Sequence, residues 1–580
     1  MRQSSRSRKG ASYDDVGMSK LTTLEVALRA RIRAGDAVHV TTQSRAATRA
    51  IQRVFQGQAL GLTLIMGRVG GGHGADLLAS GLVSRVIAGS YGAVSNQYTG
   101  RLAQVQRLYE SGAVTFQHWT FYTLMQRLMA AAQGLPFVLT HSLAGSCMAR
   151  DNGADFMQIA DPFGSGSTVN LLRALHPDVA IVHVDAADEE GNAILLPPFE
   201  EGTWGAKASR RGVIVTAEHV VTTDYIRRNS HLVQLPGRYV SAVVHAPYGA
   251  HPGPFGSGIL PDLRRYEEDE AFNSAYFAAV RDPQALRGWV DEWILGFPSH
   301  SAYLEKLGES RLSGLKYVES SPVNASERMT TAPAMTNAGA EKCSDNEIIM
   351  TLAMRHILRH QANKGYDVFL VGAGLSEVPA TAAHTVLTSQ GARISLVMGH
   401  GYFGFTPTPG RSDPDATTSV MTTDASTIYG TILGGRRGST LAILGAGQVD
   451  QFGNLNSTII NGNLLTGSGG SNDSASTCDV LHVTRLTRKK LVDRVEYITC
   501  PGSAVSAVIT ERGIFEKSDA SRLTLTSYID MESLGREGVC DKFSAGCGWP
   551  LEIAADLRLE DAPSANELAL IRQLMPSRYE

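Results

Sequence analysis

A chain of 580 residues is longer than one hydrophobic core grows, so several domain-sized units are expected. Apolar residues at 43%, charged residues at 19% and 59 glycines suit a globular enzyme and exclude a disordered or fibrous chain. A net charge of −3 offers no basic field for polyphosphate, and no apolar run approaches the length that spans a bilayer, so neither nucleic acid nor membrane is an expected partner.

Residues 1–20, opening MRQSSRSRKG, are basic and polar and read as a frayed, disordered tail. In the first half, 21–306, the stretch GRVGGGHGADLL places Gly70, Gly71, Gly72, His73 and Gly74 before an apolar run, and ADPFGSGSTVN carries Gly164 and Gly166. Both read as loops that open onto a ligand. The short β-branched runs VAIVHV, GVIVTA and YVSAVV alternate with amphipathic helical stretches, which is the pattern of buried parallel strands in an α/β fold. VAIVHV leads into Asp188, Gly191 and Asn192, residue types that make a tight turn leaving a strand.

Residues 307–345 lose apolar periodicity and fill with Ser, Thr, Ala, Gly and Pro, as linkers do. The second half, 346–580, repeats the alternation in DVFLVG, RISLVM and TLAILG, and TLAILG leads into Asp450, Gly453 and Asn454 with the turn spacing of the first half. Two homologous open-sheet α/β halves joined by a linker are therefore predicted.

DVFLVG runs into Gly372 and Gly374, which open a helix, so N–H groups and the helix dipole face an anion or a polarised carbonyl, with Glu377 alongside. The third glycine of a dinucleotide fingerprint is missing, so a nicotinamide cofactor is not expected. RISLVM ends in Gly399-His400-Gly401, which puts an imidazole of pKa about 6.5 at a strand's carboxyl end, where open sheets bind ligands. His400 is thus a candidate base. LLTGSGGSND supplies Gly467, Gly469, Gly470 and Asn472, a backbone able to approach a ligand closely and aim N–H groups at a developing oxyanion. The six cysteines form no C-x-x-C pair, so neither a disulfide framework nor a metal site is expected, and a reducing cytoplasm fits.

In this order the stretches resemble family I CoA-transferases, the glutaconate CoA-transferase branch in particular, with both subunits fused. RAGDAVHVTTQSRAATRAI, GADLLASGLVSRVIAGSYG and HPDVAIVHVDAADEEGN are similar to the α subunit; GRRGSTLAILGAGQVDQFGNLN, GSGGSND and CGWPLEIAADLRLEDAP are similar to the β subunit. The resemblance implies a CoA-transferase fold, an acyl-CoA substrate whose coenzyme A lies at the glycine loops, Gln448 in the catalytic segment Gln448-Val449-Asp450, and a homo-oligomer. In that family a glutamate follows the strand matching RISLVM, attacks the thioester and holds CoA as a glutamyl thioester; Gly399-His400-Gly401 stands there instead, and glycine has no nucleophile. Relatives without this glutamate include ring-opening hydrolases of steroid degradation and a methylglutaconyl-CoA decarboxylase. The acidic residue that the former use in the α half has no counterpart between Val114 and Leu124, where Gln117 and His118 are the polar groups. The resemblance thus implies hydrolysis or C–C cleavage of a CoA thioester, with His400 as base or water-orienting group. The alternatives are CoA transfer with Glu377 as a displaced nucleophile, and a non-catalytic acyl-CoA binder.

Overall fold

The computed structural model describes residues 19–575 except 71–73, 95–98, 198, 200–201, 317–342, 373, 408–417, 436–437 and 518–521. The fold is α/β. In the first half, strands β1 (Ala37–Val40), β2 (Leu62–Arg68), β3 (Val83–Ser90), β4 (Thr115–His118), β5 (Val179–Ala187), β6 (Val213–Val220) and β7 (Val240–His245) run parallel. Their order across the sheet is β7-β6-β5-β1-β2-β3-β4. Every residue of β5 is buried, because both faces of the sheet are covered; an unbroken apolar run can then replace alternation.

In the second half, β8 (Val368–Val371), β9 (Ser395–Met398), β10 (Thr440–Leu444), β11 (Asp479–Val483) and β12 (Val505–Thr510) form the parallel core of a ten-stranded sheet, in the order β9-β8-β10-β11-β12. Beyond β12 the sheet continues through β13 (Gly513–Lys517) and two further strands. The first half has the same order in β2-β1-β5-β6-β7.

The turn repeat holds at the level of single hydrogen bonds. Asp188 accepts from the backbone N (2.8 Å) and Nδ2 (2.9 Å) of Asn192, whose Oδ1 accepts from Gly237 N at 2.9 Å. Asp450 accepts from the same two groups of Asn454, both at 3.0 Å, and Asn454 Oδ1 accepts from Gly502 N at 2.8 Å. A signal not used above lies at these distal glycines: Pro236-Gly237 precedes Val240-Ser241-Ala242-Val243, and Pro501-Gly502 precedes Val505-Ser506-Ala507-Val508. A Cβ at either glycine would run into the carbonyl of Glu190 or Phe452, so close approach of turn and strand requires both.

The expected linker is shortened at its start. Residues Glu309–Gly314 form a helix whose Arg311 binds Asp269 through Nε (2.5 Å) and Nη2 (2.9 Å), and Lys316 bridges to Tyr266, so 307–316 packs with the first half. Residues 317–342 of the linker and 1–18 of the tail lie outside the described residues. Lys20 is tied down, donating its backbone N to Glu189 and accepting from Val243 N. Among the described residues no helix is long and apolar enough to cross a membrane.

The halves meet through backbone pairs: Gly469 N donates to Gly89 O (2.8 Å), Phe121 N to Gly469 O (3.0 Å) and Tyr91 N to Thr466 O (2.8 Å). Trp204 Nε1 adds a bond to Asp424 Oδ2 at 3.0 Å. A chain opened within 317–342 and expressed as two fragments is therefore expected to stay together and keep its activity. Co-elution in gel filtration checks this; separate elution of two folded fragments would refute it.

Candidate active site between the halves

Gly399, His400 and Gly401 leave the carboxyl end of β9, next to β8, where Gly372 begins the turn into helix α1 (Glu377–Ser389). Gly372 serves close packing: a Cβ there would lie 2.6 Å from Ile443 O of β10. Gly374 takes a left-handed φ of +99° and accepts from Glu377 N at 3.0 Å, which turns the chain into α1 with the Glu377 side chain buried at its start. Gln448, half-buried beyond β10, is held by Lys489 O (3.3 Å) and Asn456 Nδ2 (3.4 Å). The ends of β8, β9 and β10 thus bring these sequence-derived residues to one edge of the sheet.

Tyr429, on a π-helical turn Thr427–Leu433, enters this edge; such turns recur at functional sites. Its hydroxyl occupies the space beside two glycines at once. A Cβ on Gly399 would sit 2.7 Å from Tyr429 Cζ, and one on Gly470 2.5 Å from it, both nearer still to the hydroxyl. Gly399 is therefore not a vacant nucleophile position: a phenol stands where a side chain at 399 would project. Burial, first, and then the charge of Asp473 push the Tyr429 hydroxyl well above its usual pKa, which keeps it a protonated donor; Ser474 bonds to it. From the first half, the Tyr122 ring is tilted against it, ring centroids 6.1 Å apart, and Arg68 lies over the neighbouring Phe121 ring at 5.6 Å.

His400, half-buried, sets its ring edge-on against Tyr402 at 5.2 Å. Gly401 has φ +126°, and a Cβ there would run into Thr423 O, so the loop that presents His400 requires glycine at 401.

The glycine loop differs from the expected oxyanion cradle. Gly467 N donates to Ser457 O (3.0 Å) and Gly469 N to Gly89 O (2.8 Å), so both N–H groups are spent on holding the loop and joining the halves. Asn472 is likewise committed: its Oδ1 accepts from Leu143 N and its Nδ2 donates to Thr499 O, each at 2.8 Å. Gly470 remains at the site, against Tyr429. Gly164 and Gly166 have open space around them and turn an exposed hairpin of a separate three-stranded sheet, while Gly71, Gly72 and His73 lie outside the described residues. His118 is buried, and burial pushes it down to about 4, so it stays neutral.

Asp473 closes the glycine loop GSGGSND, and sequence reasoning gave its carboxyl no role of its own. It accepts from Thr120 Oγ1 (2.6 Å), Ser142 Oγ (2.7 Å) and Tyr122 N (3.2 Å), all in the first half. Burial outweighs these donors and pushes the carboxyl up to about 7. Unfolded, the same group titrates at about 4, so between about pH 4 and 7 the folded chain keeps a proton that the unfolded chain has lost. Stability then falls as pH rises through that window, by up to about 1.4 kcal/mol per pH unit from this group. Asp473→Asn is expected to remove that contribution, so that the variant gains on the native chain between about pH 5 and 7 in paired denaturant titrations; parallel pH profiles would refute the assignment.

A family model for coenzyme A transferase matches residues 21–246. The chain is 29% identical over 328 residues to one subunit of the glutaconate CoA-transferase of Acidaminococcus fermentans, covering 52% of this chain and 96% of that one. Both subunits of the 3-oxoadipate CoA-transferase of Pseudomonas knackmussii are similar to it, one at 30% identity (41% of this chain, 80% of that one) and the other at 27% (40% and 93%). It spans about half the length, 53%, of a 35% identical Archaeoglobus fulgidus protein that aligns with 43% of this chain. An acyl-CoA transferase from E. coli O157:H7, solved as a thioester complex with CoA, shares the fold with a TM-score of 0.64 at 16% identity, over 96% of this chain and 98% of that one. With both subunit regions in one polypeptide, the chain belongs to the coenzyme A transferase family, whose members bind CoA thioesters.

Proposed function

We propose that the protein hydrolyses an acyl-CoA thioester, or cleaves a C–C bond next to one, without storing CoA on an enzyme carboxylate. The observation that carries this reading is the Tyr429 hydroxyl lodged beside Gly399 and Gly470, in the space a nucleophilic side chain at 399 would need. In hydrolysis, water attacks the thioester carbonyl carbon and gives its proton to His400. The carbonyl oxygen, now an oxyanion, accepts a hydrogen bond from Tyr429; collapse breaks the C–S bond, and the departing thiolate takes the proton from His400, leaving a free acid and CoA. A donor that stabilises this adduct also stabilises the thioester enolate left by decarboxylation or retro-Claisen cleavage. Coenzyme A would lie along Gly372, Gly374 and Gly401, with Gln448 at the opposite side of the thioester.

CoA transfer is the second reading, favoured by the buried Glu377 one strand away from Gly399. Mass spectrometry of CoA products from a panel of acyl-CoAs, with and without acceptor acids, separates the two. Free CoA or a shortened acyl-CoA formed regardless of acceptor is expected. A new acyl-CoA made only with acceptor would establish transfer, and tight CoA binding with no turnover of any thioester would establish a binder.

A further inference from the structure

We propose that His356, His360 and Glu516 form a divalent-metal site, best suited to Zn2+, that fastens helix α2 (Asp345–Lys364) of the second half to strand β13. The two histidines are four residues apart, so the helix places both rings on one face. They stack with centroids 4.2 Å apart. Glu516 faces them from β13: its Oε1 lies 3.2 Å from His356 Nδ1 and 3.3 Å from His360 Nε2, and the three ligand atoms all lie within 4.8 Å of one another. Zinc bonds to histidine nitrogen and carboxylate oxygen are about 2.0–2.2 Å, so two ligands of a tetrahedral zinc stand roughly 3.3–3.5 Å apart. The two His–Glu distances match two edges of such a coordination polyhedron.

These are also the distances of a histidine–carboxylate ion pair, and the same atoms can serve either arrangement. His356 Nδ1 and Glu516 Oε1 are both buried and neither has a hydrogen-bond partner, although they lie 3.2 Å apart. A buried ring nitrogen and a buried carboxylate oxygen left without a well-formed bond have ligand capacity to give to a cation. Arg359, on the same helix, does not supply it, since it pairs with Glu560 at 2.7 Å, and among the described residues the histidines are the ion-pair partners of Glu516. His360, with 39% of its side chain exposed, provides the entry path and leaves room for water as a fourth ligand. The cysteine spacing gave no hint of this site, because its signal is His-x-x-x-His in a helix completed by a residue more than 150 positions away.

The test uses the full chain stripped with chelator and titrated with Co2+, then Zn2+. One Co2+ per chain with the visible absorption of a tetrahedral centre, displaced by Zn2+, is expected, together with a rise in Tm of a few degrees. His360→Ala, at the surface, should keep the fold and lose binding at least tenfold, and Glu516→Gln should do the same. Undiminished Co2+ binding in His360→Ala, or no stoichiometric binding by the native chain, would overturn the site and leave a purely structural His-Glu-His cluster.

Discussion

Tyr429→Phe is expected to lower turnover by about a hundredfold to a thousandfold while the protein stays folded. The size follows from removing one preorganised donor from a buried oxyanion site. The hydroxyl qualifies as a donor because its surroundings forbid the alternative: it is buried, and Asp473 nearby penalises the phenolate, so it keeps its proton throughout the working range. Loss of the bond to Ser474 costs the fold only about 1 kcal/mol. The effect should fall on kcat more than on KM, since the donor acts on charge that develops in the transition state. If Tyr429→Phe turns over normally, the phenol merely fills space, and the oxyanion must be held elsewhere.

Gly399→Ala is expected to damage fold and turnover together. Its new Cβ would lie 2.7 Å from Tyr429 Cζ, against the 3.0 Å below which real Cβ atoms essentially never go, and the ring it meets is buried. Overpacking of this kind costs about 1–3 kcal/mol, and displacing Tyr429 also removes its donor from the site. Gly470→Ala should behave alike, because its Cβ meets the same ring at 2.5 Å. A double-mutant cycle isolates the cause: in a Tyr429→Ala background, Gly399→Ala should cost little, with a coupling energy of about 0.5–3 kcal/mol. The same logic governs any attempt to restore the family's glutamate. Gly399→Glu alone has no room, whereas Gly399→Glu with Tyr429→Ala frees the space the carboxylate needs. Additive effects of the Gly399 and Tyr429 substitutions would show that the two residues do not compete for one position.

The architecture was legible because its causes are local. Fully buried parallel strands read as apolar β-branched runs, and the Asp-x-x-Gly-Asn turns draw their hydrogen bonds mostly from within five residues. The division of labour among the glycines was not, because a glycine's role depends on what the fold sets against it. Gly467 and Gly470 stand three residues apart; the first gives its N–H to Ser457, and the second borders the Tyr429 hydroxyl. Tyr429 itself gave no signal, since it lies in the unremarkable apolar segment ASTIYGTIL and owes its place to a π-helical turn that no periodicity announces. The role of Asp473 was hidden for a related reason: its donors Thr120, Ser142 and Tyr122 N come from the other half of the chain. Residues 307–316 misled in the opposite direction, since their polar composition conceals a helix anchored by Arg311 on Asp269.

The central claim is that an acyl-CoA is processed with no enzyme-bound glutamyl thioester. Intact-protein and peptide mass spectrometry of the chain, trapped with borohydride or hydroxylamine during turnover of an acyl-CoA substrate, tests this directly. The account predicts an unmodified chain, with Glu377 intact and activity retained after trapping. Modification of Glu377 together with a proportional loss of activity would contradict it, and would return the protein to transfer chemistry by a displaced nucleophile.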